Sequence, residues 1–314
     1  MVVSAVEAVL QVVIFVAVGF FVARAGWTQG NVRGFLSKFV INVTLPCTLF
    51  SMLINNFDSE SLAKAPVILA VAFASVWGFY LLEKFVIAPL FKIKKERRGV
   101  FVSESSCSNT MLVGLPLTLT IFGEEGFVYF IFFYLANTML VNIPCFLEIQ
   151  KDGEIRSGTQ KQKLTAGKIL KPAMFAIALG FIFIAANIGL PEFADDIVGK
   201  MGAVTTPVSL VMVGIVLYDI GFANLKPEKD VVALLVSRFV LAPLCMFLIT
   251  TIAGLDATTS LVLIVQAGLP CFISAVMFSE LCGADSGFAA KGVIWTTIVS
   301  IAAIPLYVLI LGIG

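Results

Sequence analysis

The chain has 314 residues, of which 59% are hydrophobic and only 13% charged, against ~25% charged in an average soluble domain. With a mean hydropathy of +1.03 it cannot enclose itself in a polar exterior, so the bilayer is its solvent. A net charge of +1 sets up no field to recruit nucleic acid, and the lack of any His removes His-based acid–base and nucleophilic catalysis and most zinc chemistry.

Stretches of about 20 apolar residues cross the hydrocarbon core as helix. This predicts ten spans, at 3–24, 34–54, 65–91, 99–122, 126–149, 170–189, 197–220, 230–254, 257–281 and 288–312. No signal peptide is visible: the first apolar run has no basic residue before it, and Arg24 follows it. A bacterial inner (plasma) membrane is the expected location. The joint after span 1 holds Arg24, Arg33 and Lys38, and that after span 3 holds Lys92, Lys94, Lys95, Arg97 and Arg98. The joint after span 5 holds Lys151, Arg156, Lys161, Lys163, Lys168 and Lys171, and that after span 7 holds Lys226 and Lys229. The alternate joints have only Lys64 and Lys200 among Asp58, Glu60, Glu124, Glu125, Glu192, Asp195, Asp196 and Asp256. The positive-inside rule puts the basic set in the cytoplasm and both termini outside.

The linker at 150–169 divides the chain into 1–149 and 170–314, five spans each. Landmarks recur in order: Gly19 matches Gly180, Pro46 matches Pro207, Gly114-Leu115-Pro116 matches Gly268-Leu269-Pro270, Gly126 matches Gly287 and Pro144 matches Pro305. Phe85 to Leu90 also resembles Phe239 to Leu244, but it ends span 3 and lies inside span 8, so it adds little weight. Because five is odd, the second repeat lies inverted relative to the first, a common plan of secondary transporters. The expected fold is an all-α membrane protein of ten transmembrane helices in two inverted repeats, with spans 4 and 9 broken and crossing.

Span 4 carries Ser103, Glu104, Ser105, Ser106, Cys107, Ser108, Asn109 and Thr110 without one large apolar side chain. Unpaired polar groups are costly in hydrocarbon, so this run faces protein or a watery cavity. Pro116 lacks an amide donor and is expected to break the span. Span 9 repeats the device with Gln266, Gly268 and Pro270, the proline opening a new half-helix. Two half-helix N-termini then converge as an anion site without formal charge. The predicted substrate-binding residues are Asn109, Thr110, Gly114, Pro116, Gln266, Gly268, Pro270 and Asn137, with Asn142 a further candidate for the same wall. Pro46, Pro89, Pro144, Pro207, Pro243 and Pro305 read as tolerated kinks.

Among the ionisable residues inside spans, Glu7, Glu83, Lys84, Asp219, Glu280 and Lys291 read as side chains reaching the interface. Glu104 is a candidate for a coupling proton and Arg238 for balancing a ligand carboxylate. The six Cys, all in apolar stretches, read as small buried side chains; no cofactor or metal is expected.

The run Ser108-Asn109-Thr110-Met111-Leu112-Val113-Gly114-Leu115-Pro116, with Phe122-Gly123, Val265 to Pro270 and Phe39 to Leu49, resembles the auxin efflux carrier family. That family includes plant auxin carriers and bacterial malate permease-like proteins. The resemblance implies spans 4 and 9 crossing at their prolines, a scaffold of spans 1, 2, 6 and 7, and a moving part of spans 3–5 and 8–10. It also implies a homodimer through the scaffold, and Asn109 beside a bound carboxylate. Two departures matter: the central linker is short, and Lys171-Pro172 stands where plant carriers often have Asn-Pro-Asn.

The expected function is carriage of small organic anions (carboxylates, with dicarboxylates or auxin-like acids as candidates) by elevator-type alternating access. The alternative is a sodium-coupled symporter of the bile-acid carrier type. No Asp-rich pair or Gly-x-Ser-x-Gly element supports a membrane enzyme.

Overall fold

The computed structural model describes residues 2–30, 32–57, 59–158, 172–220 and 228–310. Among these there is helix and no strand, apart from one isolated bridge between Ser108 and Cys271. Among the described residues six helices are long and apolar enough to cross a membrane, and shorter apolar helices lie at Val13–Arg24, Pro172–Ala185 and Ala257–Ala267.

The first half contains α1 (Val2–Arg24), α2 (Val32–Phe39), α3 (Leu45–Asn56), α4 (Ser59–Leu82), α5 (Ala88–Leu90), α6 (Arg98–Ser106), α7 (Leu115–Leu140) and α8 (Phe146–Ser157). The second contains α9 (Pro172–Ala185), α10 (Glu192–Ala203), α11 (Thr205–Ile220), α12 (Lys229–Val236), α13 (Ala242–Ile252), α14 (Ala257–Ala267), α15 (Ser274–Cys282) and α16 (Ser286–Ile310). Gly123, at φ 63°, bends α7 where the sequence places the end of span 4. Only a glycine takes that φ without strain.

One rule explains most of the irregular helix. Wide π turns occupy Val40–Thr44, Glu83–Ile87, Thr110–Gly114 and Ser237–Leu241. Each is centred four residues before a proline: Pro46, Pro89, Pro116 and Pro243. A proline gives no N–H to the carbonyl four residues back and its ring crowds that carbonyl. The turn therefore opens, and the residue before the proline donates one place further back: Leu45 to Val40, Ala88 to Glu83, Leu115 to Thr110 and Ala242 to Ser237. The Phe85 and Phe239 stretches, given little weight from sequence, thus share the same local form. Pro116 does not break its span; it belongs with the prolines read as tolerated.

The helices pack in two groups. In one, α1 lies along α11, and α9 and α10 lie along α3. A side chain at Gly19 would overlap the Val211 carbonyl, and one at Gly214 the Val16 carbonyl, so α1 and α11 touch backbone to backbone. In lipid, such small-residue contacts drive helix association. The other group packs α4, α6, α7, α8, α12, α13, α14, α15 and α16.

At one end Arg97, before α6, pairs with Glu228 (2.8 Å), Asp230 (3.5 Å) and Asp285 (3.0 Å). Arg156 at the end of α8 reaches the same Asp285 (3.2 Å), and Lys291 pairs with Glu228. The joints after spans 3, 5, 7 and 9 therefore meet. Elsewhere Asn55 donates to Asp195 (3.1 Å), joining those after spans 2 and 6.

Three expectations are corrected. The linker predicted from 150 begins later, because α8 continues to Ser157. Asp152 accepts the Val100 N–H (2.8 Å), and a side chain at Gly153 would strike the Cys282 carbonyl, so this turn is packed. Glu83 does not reach the interface; it is fully buried. Cys47 and Cys245 are half-buried, whereas the other four Cys are buried. The side chain of Glu7, and Asp58, Lys161, Lys163, Lys168, Lys171 and Lys226, lie outside the described residues.

Candidate functional site

The polar run Ser103 to Thr110 unwinds earlier than the proline rule suggests. Short polar side chains compete for backbone groups and weaken helix. α6 stops at Ser106, Cys107 is extended (φ −109°, ψ 132°), and helix resumes at Thr110. In span 9, α14 stops at Ala267 and α15 starts at Ser274. Pro270 therefore lies inside the break and is not the first residue of the new half-helix. Its ring disfavours helix for Leu269 before it.

The two unwound pieces cross and pair. Asn109 N–H donates to the Pro270 carbonyl (2.9 Å), beside the Ser108–Cys271 bridge. Asn137, from α7, holds Ser108 from the other side: its Oδ1 accepts Ser108 N–H (2.9 Å) and its Nδ2 donates to Ser108 O (3.0 Å). Ser108 Oγ donates to Gln266 O (2.6 Å), and Cys271 N–H to Thr296 Oγ1 (3.2 Å). Backbone groups freed by unwinding would cost several kcal/mol each in hydrocarbon if left unpaired; these partners supply the bonds.

Beside the crossing is a cavity of ≈ 130 Å³. One wall is Asn109–Leu112, the start of the second half of span 4, and another is Phe272–Ser274, the start of the second half of span 9. Asn137, Thr138, Val141 and Asn142 form a third, and Ser37, Ile41, Met212 and Val216, from α2, the following π turn and α11, close it. No titratable side chain lines it. Asn109 Oδ1 accepts Leu112 N–H (3.3 Å) and caps the half-helix, which leaves its NH2 free of that bond. A smaller cavity of ≈ 60 Å³ among Val16, Val113, Leu117, Val213 and Ile304 is apolar; its hydroxyls, Thr297 and Ser300, donate to backbone carbonyls.

Of the predicted site residues, Asn109, Thr110 and Asn137 line the larger cavity, with Asn142. Gly114, Pro116, Gln266, Gly268 and Pro270 do not; they shape the crossing. Gln266 Nε2 donates to Thr118 Oγ1 (2.8 Å) and Gly114 O (3.3 Å), and a side chain at Gly114 would overlap the Gln266 amide. Gly268 makes room for the Tyr307 ring. Arg238 does not line the cavity: Nε donates to Leu269 O (2.6 Å), Nη1 to Ser105 O (2.8 Å) and Nη2 to Ser108 Oγ. Glu104 is fully buried against Gly292 and Leu234, and neither carboxyl oxygen has a hydrogen-bond partner among the described residues. Sequence reasoning missed Ser108, which receives or makes four of the bonds at the crossing, and Phe272–Ser274. The polar run pointed to the first; nothing in the apolar text of span 9 marks the second.

A family model described as "Membrane transport protein" matches residues 4–308. An uncharacterized transporter of Methanocaldococcus jannaschii is 25% identical over 316 residues, covering 96% of this chain and 97% of its own. An uncharacterized transporter of Methanothermobacter thermautotrophicus is 24% identical over 314 residues, covering 97% and 98%. A multi-pass array of apolar helices around a cavity at two interrupted helices, matched almost end to end by this family, means that the chain belongs to the auxin efflux carrier-like membrane transport family and is a transporter.

Proposed function

We propose that the protein is a secondary carrier of small organic anions, carboxylates in particular, bound in the cavity beside the crossing. The observation that carries this reading is the shared wall: the first residues of two half-helices, Asn109–Leu112 and Phe272–Ser274, line one cavity with no titratable side chain. Helix N-termini present unpaired N–H groups and a partial positive charge, which favour an anion. The Asn109 NH2 and the hydroxyls of Thr110 and Ser274 add neutral donors, which orient a ligand and still release it.

On this reading ten helices form two inverted repeats, the first running to the end of α8 at Ser157 and the second from α9. The meeting of the joints after spans 3, 5, 7 and 9 at one end supports it, since alternate joints of a ten-span chain share a side. The basic joints face the cytoplasm of a plasma (inner) membrane, and both termini lie outside. Spans 1, 2, 6 and 7 form a dimeric scaffold against which the rest moves as an elevator. The cavity lies between these groups, where such a movement would carry it from one side to the other.

The test is uptake of labelled malate into liposomes containing the purified protein, with unlabelled carboxylates, indole-3-acetate and neutral amino acids as competitors. Competition by carboxylates alone is expected. Asn109→Ala is expected to weaken apparent affinity about 10- to 100-fold, the loss of one hydrogen bond to a charged group. Uptake that no anion competes for would remove the reading, and a strict sodium requirement would favour the symporter alternative.

A further inference from the structure

Neither Ser105 nor Leu269, whose carbonyls border the two breaks, lines the cavity. α6 ends at Ser106, which leaves the Ser105 carbonyl without a helical partner, and Leu269 lies two residues past the end of α14, its carbonyl inside the break. Such ends carry partial negative charge, and in transporters built on interrupted helices they coordinate the coupling cation. Here a side chain stands in that place. Arg238 is 1% exposed and donates to both carbonyls and to Ser108 Oγ at the bridge between them.

A buried acidic side chain lies nearby. Glu83 is fully buried beside the Ser105 and Ser237 side chains, with Arg238 as its neighbouring cation. Glu83 opens the π turn before Pro89, and Arg238 sits in the π turn before Pro243. The same proline device therefore underlies both positions. The remaining charged groups nearby are accounted for: Lys84 is paired with Glu148 (3.0 Å), Lys291 with Glu228, and Glu104 lies against Cys271, Gly292 and Leu234.

We infer that Arg238 is a tethered cation holding the position a coupling ion would take, so that carriage by this chain needs no sodium. The inference rests on the carrier reading but concerns the carbonyls at the two breaks and not the cavity itself. Removing the guanidinium leaves two carbonyls and the Ser108 hydroxyl, with the Glu83 carboxyl group buried nearby, oxygens suited to a small alkali cation. Arg238 is thus a positioning residue: it holds the two breaks together, and Ser108, which it also bonds, lines the cavity.

The experiment compares melting temperature in detergent and malate uptake in liposomes for the full-length protein in sodium chloride, choline chloride, and choline chloride with millimolar guanidinium, at equal ionic strength. Wild type is expected to be unchanged across all three. Arg238→Ala is expected to melt roughly 5–10 °C lower in choline, and to recover in part with sodium or guanidinium. Adding Glu83→Gln to Arg238→Ala is expected to abolish the response to sodium. A wild type stabilised specifically by sodium overturns the inference, as does an Arg238→Ala protein equally unstable in all three salts. Should Arg238→Ala fail to fold, Arg238→Lys keeps the charge and is expected to stay sodium-independent; sodium-specific stabilisation of it also overturns the inference. The melting comparison needs no substrate, so failure of malate uptake in wild type counts against the carrier reading alone.

Discussion

Asn137 gives the Ser108 peptide what a neighbouring strand would give it, an acceptor for its N–H and a donor for its carbonyl, at 2.9 and 3.0 Å. That peptide is buried, so neither group can turn to water. Replacing Asn137 by Leu keeps the volume and removes both partners. Each orphaned group costs ~1–3 kcal/mol, so a loss of about 2–5 kcal/mol is expected, read as a lower melting temperature of the purified protein. Asn137→Asp keeps the acceptor for the N–H and loses the donor, and should lie between the two. Asn142, whose Nδ2 donates to Thr138 O (2.8 Å) within its own helix, lines the same cavity without holding the crossing. Equal loss from Asn142→Leu and Asn137→Leu would contradict this division of roles.

At the scale of helices, contact between α1 and α11 depends on two glycines facing each other's backbone. A methyl group at Gly214 meets the carbonyl of Val16 and the amide of Phe20, neither of which can swing aside. Gly214→Ala should therefore push the helices apart and destabilise by about 1–3 kcal/mol, the usual scale of overpacking. Gly78 in α4 has open space where a Cβ would stand. Gly78→Ala should be neutral, or raise the melting temperature slightly by restricting the unfolded chain. Opposite outcomes from these two substitutions distinguish close helix packing from a general intolerance of alanine.

The molecule as a whole is tied at one end by the cluster of Arg97, Arg156 and Lys291 with Glu228, Asp230 and Asp285. Hydrogen bonds from Lys291 and then Arg97 hold the Glu228 carboxyl below its ordinary range. A carboxylate with a depressed folded-state value stabilises above its unfolded value of about 4.3, and loses that contribution as pH falls through the folded value. Glu228 is partly exposed, so Glu228→Gln should cost no more than about 1 kcal/mol at pH 7. The melting-temperature gap to wild type should close as pH falls below about 4. A gap that persists there would mean that Glu228 acts by packing and not by charge.

Composition alone determined that lipid is the solvent, because 13% charge cannot clothe a core of this size. Local rules also reached far. Proline chemistry acts within five residues, so the π turns before Pro46, Pro89, Pro116 and Pro243 are legible in the text once the rule is known. The polar run Ser103–Thr110 marked one break and part of the cavity wall, since such residues cannot face lipid. Where that break falls was not legible. Pro116 pointed seven residues too late, because Cys107–Asn109 unwinds to pair with a segment more than 150 residues away. Arg238 shows the same limit: its charge was visible, but whether it faced a ligand or the carbonyls of Ser105 and Leu269 was decided only when two distant helix ends were brought together. Spacing along a chain records what a residue's neighbours in sequence allow. Which half-helix ends meet, and on which side of them a cavity opens, depends on packing between elements, and that is a property of the tertiary structure.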